Sequence, residues 1–224
     1  MDFSQVDPVD LRLTLQVAVV ATLLCIAVGI PTAWVLARYN FRGKMIVEAL
    51  ATLPLVLPPT VVGYYILRSV GRASPAGRFL EDEIGVRLVF TWEGAAIAAA
   101  ILSVPLLIRS AQAGFADVDP ELERIAGTLG RKPLAVFFTI TLPLAFRGVA
   151  AGIALAFARA AGEFGATIMV AGNIPGKTRT MPIAVYDAVQ AGDLERANAT
   201  ALALILMSIT SLIIFSYLTF LVRR

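Results

Sequence analysis

The chain lacks the residues on which many enzymes and metal proteins depend. Its 224 residues include no histidine and a single cysteine, Cys25. The absence of histidine removes the usual zinc sites and histidine-dependent acid–base catalysis. A lone cysteine inside an apolar run can form no intrachain disulfide, so we interpret Cys25 as a small packing residue. We therefore expect no catalytic residue, no metal site and no cofactor.

Charged residues are scarce as well. They make up 16% of the sequence, against 58% for hydrophobic residues, and the mean hydropathy is +0.80. These values indicate an integral membrane protein. The formal net charge of +3 comes from scattered Lys and Arg residues beside the apolar runs. That pattern favours a role in membrane topology over nucleic-acid binding.

The start of the chain lacks the features of a cleavable signal peptide. Asp2, Asp7 and Asp10 stand where such a peptide has basic residues, and the apolar run that follows is long and has no small-residue cleavage site. We therefore expect the first span to remain in the mature protein.

Five apolar runs are long enough to cross about 30 Å of hydrocarbon as helices of roughly 20 residues. They lie near 13–37, 46–70, 92–114, 147–171 and 198–222. A sixth stretch, 134–146, is too short to span and is predicted to lie on the membrane surface before the fourth span. The predicted fold class is an all-α integral membrane protein, with one transmembrane domain over 1–224.

Basic residues near the ends of the chain predict its orientation. Arg12 alone precedes the first span, whereas Arg38, Arg42 and Lys44 follow it closely. Arg223 and Arg224 close the chain on that same side after five crossings. Because basic residues collect on the cytoplasmic side, we expect a multi-pass protein of the cytoplasmic (inner) membrane with its N-terminus outside and its C-terminus in the cytoplasm.

This topology assigns each connecting segment to one side of the membrane. Residues 115–146 are predicted to be cytoplasmic, and 71–91 and 172–197 to be outside. The outer segments contain Gly, Pro, Asn and charged residues, which indicate loops, with a short helix at 181–190.

The cytoplasmic segment begins with a charged stretch that has helix start and stop signals. Asp117 or Asp119 can cap a helix, Pro120 suits its first turn, and Gly130 suits its end. Apolar residues at helical spacing form a stripe, and small residues form a surface that a partner backbone can approach. The candidate coupling residues are Glu121, Leu122, Glu123, Arg124, Ile125, Ala126, Gly127, Leu129 and Gly130. The alternative is a helix that packs only on the spans of its own chain.

This stretch resembles the EAA loop of ABC-transporter permease subunits, which reads Glu-Ala-Ala, three residues, Gly, nine residues, Ile-x-Leu-Pro. Nine residues separate Gly130 from Ile140, and Leu142 and Pro143 complete the second half. The first half departs from the pattern, because Arg124-Ile125-Ala126 stands in place of Glu-Ala-Ala.

Three further segments, at 53–67, 157–168 and 173–180, resemble molybdate ABC transporter permease subunits. Sulfate permeases are similar around 162–165 but differ at 58–63. The resemblance implies a type I ABC importer permease fold, a homodimer of this subunit, two cytoplasmic ATPase subunits and an external oxyanion-binding protein. It also implies a coupling helix seated in a cleft on the ATPase. Molybdate, with tungstate as a co-substrate, is the expected cargo, and sulfate or another tetrahedral oxyanion is the alternative.

Two features inside the spans point to a permeation path or gate. Proline residues interrupt the second span, and broken helices tend to line cavities. Arg159 and Glu163 in the fourth span are spaced as i and i+4 on a helix. Either Arg159 offers positive potential to a passing dianion, or the two residues neutralise each other and fix helix packing. A plain kink without pore contact is the alternative for the prolines. Threonine hydroxyls are expected to contribute polar lining. The candidate residues are Pro58, Pro59, Thr60, Val61, Arg159, Glu163, Phe164 and Thr167.

Two glycines in the fourth span predict a helix contact. Gly148 and Gly152 form a Gly-x-x-x-Gly step, which predicts close approach of another helix.

One segment has the ending of a phosphate-binding loop, Gly176-Lys177-Thr178. Such a loop needs a strand before it and a helix after it, whereas this one follows a membrane span. The energy source is therefore expected to be a separate ATPase subunit.

A membrane enzyme or a free-standing channel is the rival interpretation. An enzyme needs a nucleophile with a base within reach, which Arg159 and Glu163 do not provide, and a channel needs no cytoplasmic docking helix.

Overall fold

The computed structural model describes residues 5–221, and every regular element in that range is helical. The elements are α1 (Pro8–Arg38), α2 (Lys44–Val56), α3 (Pro59–Val70), α4 (Pro75–Asp82), α5 (Trp92–Ala116), α6 (Pro120–Thr128), α7 (Pro133–Val136), a π-helical segment (Phe137–Thr141), α8 (Leu142–Leu144), α9 (Phe146–Ala161), α10 (Gly165–Ala171), α11 (Met181–Gln190) and α12 (Leu194–Leu221). The predicted all-α class is confirmed. Arg223 and Arg224, used above for orientation, lie outside the described residues.

Three helices are long and apolar enough to cross a membrane by themselves: α1, α5 and α12. Two pairs of shorter helices pass the same test only when each pair is taken as one bent span. The described residues therefore provide three to five candidate spans by length and composition, and the upper number equals the five that the sequence predicts. One bent pair covers 133–161, whereas the sequence predicts a span near 147–171. Helix α5 is the most enclosed of the three long helices and α12 the least.

The centre of the bundle is made by α1, α5 and α9, which pack through small side chains. The buried residues that line these contacts include Ala18, Ala21, Ala99, Ala111 and Ala156. Lipid tails are as apolar as the helices, so close contact between backbones, and not the hydrophobic effect, holds such helices together.

The predicted glycine contact occurs between α9 and α5. A Cβ atom added to Gly148 would lie 2.6 Å from the Cα of Gly114, and one added to Gly152 would lie 3.1 Å from the carbonyl oxygen of Leu107. The Ser110 hydroxyl also donates a hydrogen bond to the Gly148 carbonyl, at 2.8 Å. The Gly-x-x-x-Gly prediction is confirmed by this geometry.

The second predicted span is two helices, α2 and α3, that meet at an angle of 110°. Leu57 and Pro58 form the break, and Pro59 begins α3. Proline has no N–H to continue a helix and disfavours helical geometry in the residue before it. The predicted interruption is confirmed.

The fourth predicted span is also broken, and here the sequence analysis was wrong. Helix α9 ends at Ala161, and α10 begins at Gly165. Glu163 lies between them, so Arg159 and Glu163 do not share a helix. Gly162 ends α9, and the carboxylate of Glu163 accepts a hydrogen bond from the Ala166 N–H in the first turn of α10.

The surface-lying segment predicted at 134–146 corresponds to α7, the π-helical segment and α8, which together meet α9 at 76°. A sharp bend of this kind fits a segment that turns away from the span, and its depth in the membrane stays a prediction. In the segments predicted to lie outside, the short helix predicted at 181–190 is confirmed as α11. Helix α4 was missed, although Ser74 and Pro75 provide a cap and a first-turn proline.

Candidate functional site

The predicted cytoplasmic helix is α6, and its local signals account for both of its ends. The Oδ1 atom of Asp119 accepts a hydrogen bond from the Glu121 N–H at 2.9 Å, so Asp119 is the cap and Asp117 is not. Pro120 occupies the first turn. Gly130 has a φ of +81°, a left-handed conformation that favours glycine. The chain therefore leaves the helix at the predicted residue.

Helix α6 turns its apolar stripe outward. Leu122, Ile125 and Leu129 are 44%, 51% and 79% exposed, while Ala126, at the edge of the stripe, is buried. Side chains added to Gly127 or Gly130 would meet nothing within 4 Å. Three exposed large apolar residues beside an open small-residue surface are typical of an interaction site. The helix does not use this stripe to pack on its own spans, as the alternative interpretation required.

The three charged residues of α6 point in two directions. Arg124 and Glu121 form an exposed ion pair, with 3.2 Å between Nη2 and Oε2. Glu123 points toward the rest of the protein instead, where its Oε1 atom accepts hydrogen bonds from Arg38 and Thr141. Sequence reasoning missed Arg38 and Thr141, because nothing in their spacing links them to α6.

The two broken spans meet each other. A Cβ atom added to Gly165, at the start of α10, would lie 2.9 Å from the Cβ of Pro59 and 3.3 Å from the Thr60 backbone nitrogen. One added to Gly63 of α3 would lie 2.8 Å from the Cα of Ala166. The predicted path residues of the second and fourth spans are therefore brought together, and we call this contact the double break (58–63 and 162–167).

Glu163 uses both of its carboxylate oxygens within the double break. Its Oε2 atom lies 2.5 Å from Nη1 of Arg159, and its Oε1 atom accepts from the Ala166 N–H at 2.7 Å. The Glu163 side chain is 1% exposed and the Arg159 side chain 31%. A buried carboxylate is stable when it is paired and hydrogen-bonded in this way. This geometry favours the structural interpretation of the pair over free positive potential from Arg159.

The remaining predicted path residues have different environments. Pro58, Thr60 and Val61 are exposed, and the ring of Phe164 lies 5.0 Å from that of Tyr186. Thr167 is buried, and its hydroxyl donates to the carbonyl oxygens of residues 163 and 164. Of the two predicted hydroxyls, that of Thr60 belongs to an exposed residue and that of Thr167 is bonded within α10 and the turn before it. A role for either hydroxyl in lining a path stays a prediction.

A buried ionic cluster that the sequence did not predict lies at the opposite end of α1 from Arg38. Arg179 donates to both carboxylate oxygens of Asp10, at 2.9 and 3.1 Å, and approaches Asp7 at 3.3 Å and Asp187 at 3.6 Å. Asp10 and Arg179 are both buried. The cluster joins the start of α1 to the loop before α11. No group of three or more His, Cys, Asp or Glu residues within 5–221 is arranged to hold a metal ion.

The segment with the Gly-Lys-Thr ending is a turn beside this cluster. It follows α10 and not a strand, and the Thr178 hydroxyl is bonded to the Gly172 carbonyl. This context agrees with its exclusion as a nucleotide-binding loop.

Comparisons with known proteins give a consistent family assignment. Residues 18–224 match the model of the family described as "Binding-protein-dependent transport system inner membrane component". The Escherichia coli (strain K12) protein named molybdenum transport system permease protein ModB is 45% identical over 92% of this chain and 90% of its own length. The Haemophilus influenzae protein of the same name is 42% identical over 93% of this chain and 92% of its own length. A probable sulfate transport system permease protein, cysT of Chlorokybus atmophyticus, is 35% identical over 96% of this chain and 76% of its own length.

Solved structures show the same fold. A chain from inward-facing structures of the MetNI methionine ABC transporter has a TM-score of 0.73, covering 96% of this chain and 95% of its own. A chain of a bacterial alginate ABC transporter, in complex with a pentasaccharide-bound periplasmic protein, has a TM-score of 0.74 over 94% of this chain and 77% of its own. Both are 14% identical to this chain, so the likeness concerns the fold alone.

Proposed function

The chain belongs to the family of binding-protein-dependent transport system inner membrane components, and on that premise we propose that it is the permease subunit of an ATP-driven molybdate importer. The observation that carries the permease role is α6, a capped polar helix with an exposed apolar stripe on an otherwise membrane-embedded fold. The observation that favours molybdate is the 42–45% identity to molybdenum transport permeases over most of the chain. Tungstate is included because it is a tetrahedral dianion of nearly equal size.

Sulfate is the second candidate cargo. The support for it is the relative named as a probable sulfate permease, which is less similar, at 35% identity. A transport assay that compares molybdate and sulfate as competitors separates the two, because the preferred dianion displaces the other at lower concentration.

The proposed partners follow from what this chain does not contain. The only phosphate-loop-like segment in the described chain has the wrong structural context, so ATP hydrolysis belongs to separate subunits. Two cytoplasmic ATPase subunits, one for each copy of the permease, bind the exposed face of α6. The permease itself forms a homodimer, and the broad apolar surfaces of α2, α3 and α12, exposed in one copy, are shared between the second copy and lipid. An external binding protein delivers the oxyanion.

The proposed orientation has the N-terminus outside and α6 in the cytoplasm. The basic residues at the end of α1 support it. It also places the Arg179 cluster at the outer face and the Arg38 contacts at the inner face, because these lie at opposite ends of the 31-residue helix α1. At 1.5 Å per residue that helix is about 46 Å long, enough to cross the membrane.

The double break is the proposed gate. A dianion cannot enter hydrocarbon unpaired, so its path requires polar groups such as the Thr60 hydroxyl and the backbone at the start of α3. Glu163 and Arg159 neutralise each other beside this path and therefore do not form a deep oxyanion trap. In this scheme the binding protein sets the affinity for the oxyanion, and the permease provides its path across the membrane.

The proposed mechanism is alternating access. ATP binding closes the ATPase dimer and draws the two α6 helices together, and the spans then change from inward-facing to outward-facing beneath the binding protein. The test is reconstitution of the chain with its ATPase and binding protein in lipid vesicles. We expect ATP-dependent uptake of molybdate and a stable permease–ATPase complex. ATP-independent flux, or the absence of any complex, would favour a channel and reject the proposal.

A further inference from the structure

Arg38, the last residue of α1, is joined to the middle of helix α6. We propose that Arg38 is a positioning residue that ties α6 to α1, so that movement of the ATPase-bound helix reaches the membrane bundle through this contact. The inference rests on the proposed function of α6. Neither the family pattern nor the residue spacing predicts a coupling role for Arg38 or Thr141.

The contact converges on one oxygen atom. Oε1 of Glu123 accepts from Nε of Arg38 at 3.1 Å, from Nη2 of Arg38 at 2.8 Å, and from the Thr141 hydroxyl at 2.6 Å. Nη2 of Arg38 also donates to the carbonyl of Val118 at 3.0 Å. We call this set the α6 anchor (Arg38, Val118, Glu123 and Thr141).

Four segments of the chain meet at the α6 anchor. Arg38 ends α1, Val118 lies in the turn after α5, Glu123 belongs to α6, and Thr141 ends the π-helical segment. π-helical segments inside helices occur frequently at functional sites. Thr141 is buried, and its hydroxyl donates to the same carboxylate oxygen as Arg38 does.

The α6 anchor is shielded from water, which strengthens it. The side chains of Arg38 and Glu123 are 10% and 21% exposed, unlike the exposed pair of Glu121 and Arg124 on the same helix. Charge-assisted hydrogen bonds are stronger than neutral ones, and removing one member of a buried pair leaves the other charge uncompensated. Arg38 also lies at the negative end of the α1 dipole, which favours a cation there.

The α6 anchor matters for movement because α6 has few other attachments to the bundle. Its main neighbours among the described elements are α7 and the π-helical segment, which lead toward α9. Helix α1, in contrast, packs along both α5 and α9. A displacement of α6 is therefore passed directly to the central helices when the α6 anchor is intact, and is absorbed in the turns on either side of α6 when it is broken.

The test uses the assembled transporter in vesicles and measures the number of ATP molecules hydrolysed per molybdate imported. Arg38→Met keeps much of the aliphatic length of the side chain and removes its donors. We expect it to co-purify with the ATPase as the unaltered chain does, while the ratio of ATP hydrolysed to molybdate imported rises by about tenfold, because a partly buried ion pair has lost one member. Arg38→Lys keeps the charge, so its ratio of ATP hydrolysed to molybdate imported should be close to that of the unaltered chain.

Arg42→Met is the matched control. Arg42 follows α1 by four residues, is exposed, and has no part in the α6 anchor, so its replacement should leave the ratio unchanged. An unchanged ratio in Arg38→Met, or loss of the ATPase complex in that variant, would overturn the inference. The second of these outcomes would mean that Arg38 serves docking.

Thr141→Val keeps the test decisive if Arg38→Met fails to fold. It removes one donor to Glu123 at nearly constant volume and should raise the ratio by a smaller factor, whereas an unchanged ratio would again overturn the inference. Failure of the proposed function is distinguishable, because the unaltered chain would then show no ATP-dependent molybdate uptake at all.

Discussion

Gly165 lies against Pro59, so closely that a Cβ atom on the glycine would be 2.9 Å from the Cβ of the proline. This contact joins the two points at which the second and fourth spans are broken. Proline lies at one break, and a hydrogen bond from the Ala166 N–H to the Glu163 carboxylate follows the other. The absence of a side chain at Gly165 lets the two breaks meet. The proposed gate is therefore a contact between two helix starts and not a kink in a single helix.

Gly165→Val should separate the two halves of the double break. The added methyl groups would collide with Pro59 and Thr60, and we expect molybdate uptake in reconstituted vesicles to fall by at least about tenfold, since overpacking costs roughly 1–3 kcal/mol. Gly162→Ala is the matched control, because its nearest neighbour is the Ala158 carbonyl at 3.6 Å. Equal uptake by the two variants would show that the contact is not needed for transport.

Glu163→Gln should lower the stability of the protein and keep the hydrogen bond from the Ala166 N–H. The amide oxygen can still accept from the Ala166 N–H, but Arg159 loses its counter-charge. Because Arg159 is partly exposed, we expect a loss of about 2 kcal/mol, measured as a lower thermal midpoint in detergent. The double variant Arg159→Gln/Glu163→Gln removes the unpaired charge and should recover part of the loss. A double variant less stable than Glu163→Gln would mean that Arg159 has a favourable role of its own.

Arg179→Met should weaken the attachment of α1 to the loop before α11. It leaves Asp10 buried without its partner, and we expect a loss of stability of about 3 kcal/mol in the same thermal assay. Arg87→Met removes an exposed arginine that is also ion-paired, to Glu81, and exposed pairs contribute little. Similar effects of the two substitutions would contradict a structural role for the Arg179 cluster.

Leu129→Ser should separate ATPase docking from folding. The side chain is 79% exposed, so the stability of the isolated permease should change by less than about 0.5 kcal/mol. Its contribution to the partner surface should be lost, and we expect at least a tenfold weaker complex with the ATPase, since a buried leucine is worth roughly 1.5–3 kcal/mol. Leu194→Ser, at an exposed leucine on the first turn of α12, is the control and should bind the ATPase normally. Normal binding by Leu129→Ser would remove the proposed docking face.

Features with a local cause could be predicted from the sequence. Helix α6 begins at a capping aspartate followed by proline and is followed by glycine, and these signals require only neighbouring residues. The break before α3 is marked by consecutive prolines in the same way. Helix α4 carries equally clear signals at Ser74 and Pro75, so it too could have been predicted.

Features that join distant parts of the chain could not be predicted. Arg38 and Glu123 are 85 residues apart, and Arg179 and Asp10 are 169 apart, so no periodic pattern connects them. The break at Glu163 was missed for another reason. A glutamate four residues after an arginine is also what a continuous helix uses for an ion pair. Only the three-dimensional structure shows that Glu163 keeps this ion pair across a break and also accepts from the Ala166 N–H at the start of a new helix.

The central claim is that α6 lies in the cytoplasm and is covered by an ATPase. Cys25 is buried, and Cys25→Ser removes the one native thiol, so Ile125→Cys in that background places a single reporter on the exposed stripe of α6. A membrane-impermeant thiol reagent should label it in inverted membrane vesicles and not in intact cells, and bound ATPase should reduce the labelling. Labelling of this cysteine in intact cells would place α6 on the outer face and contradict the account.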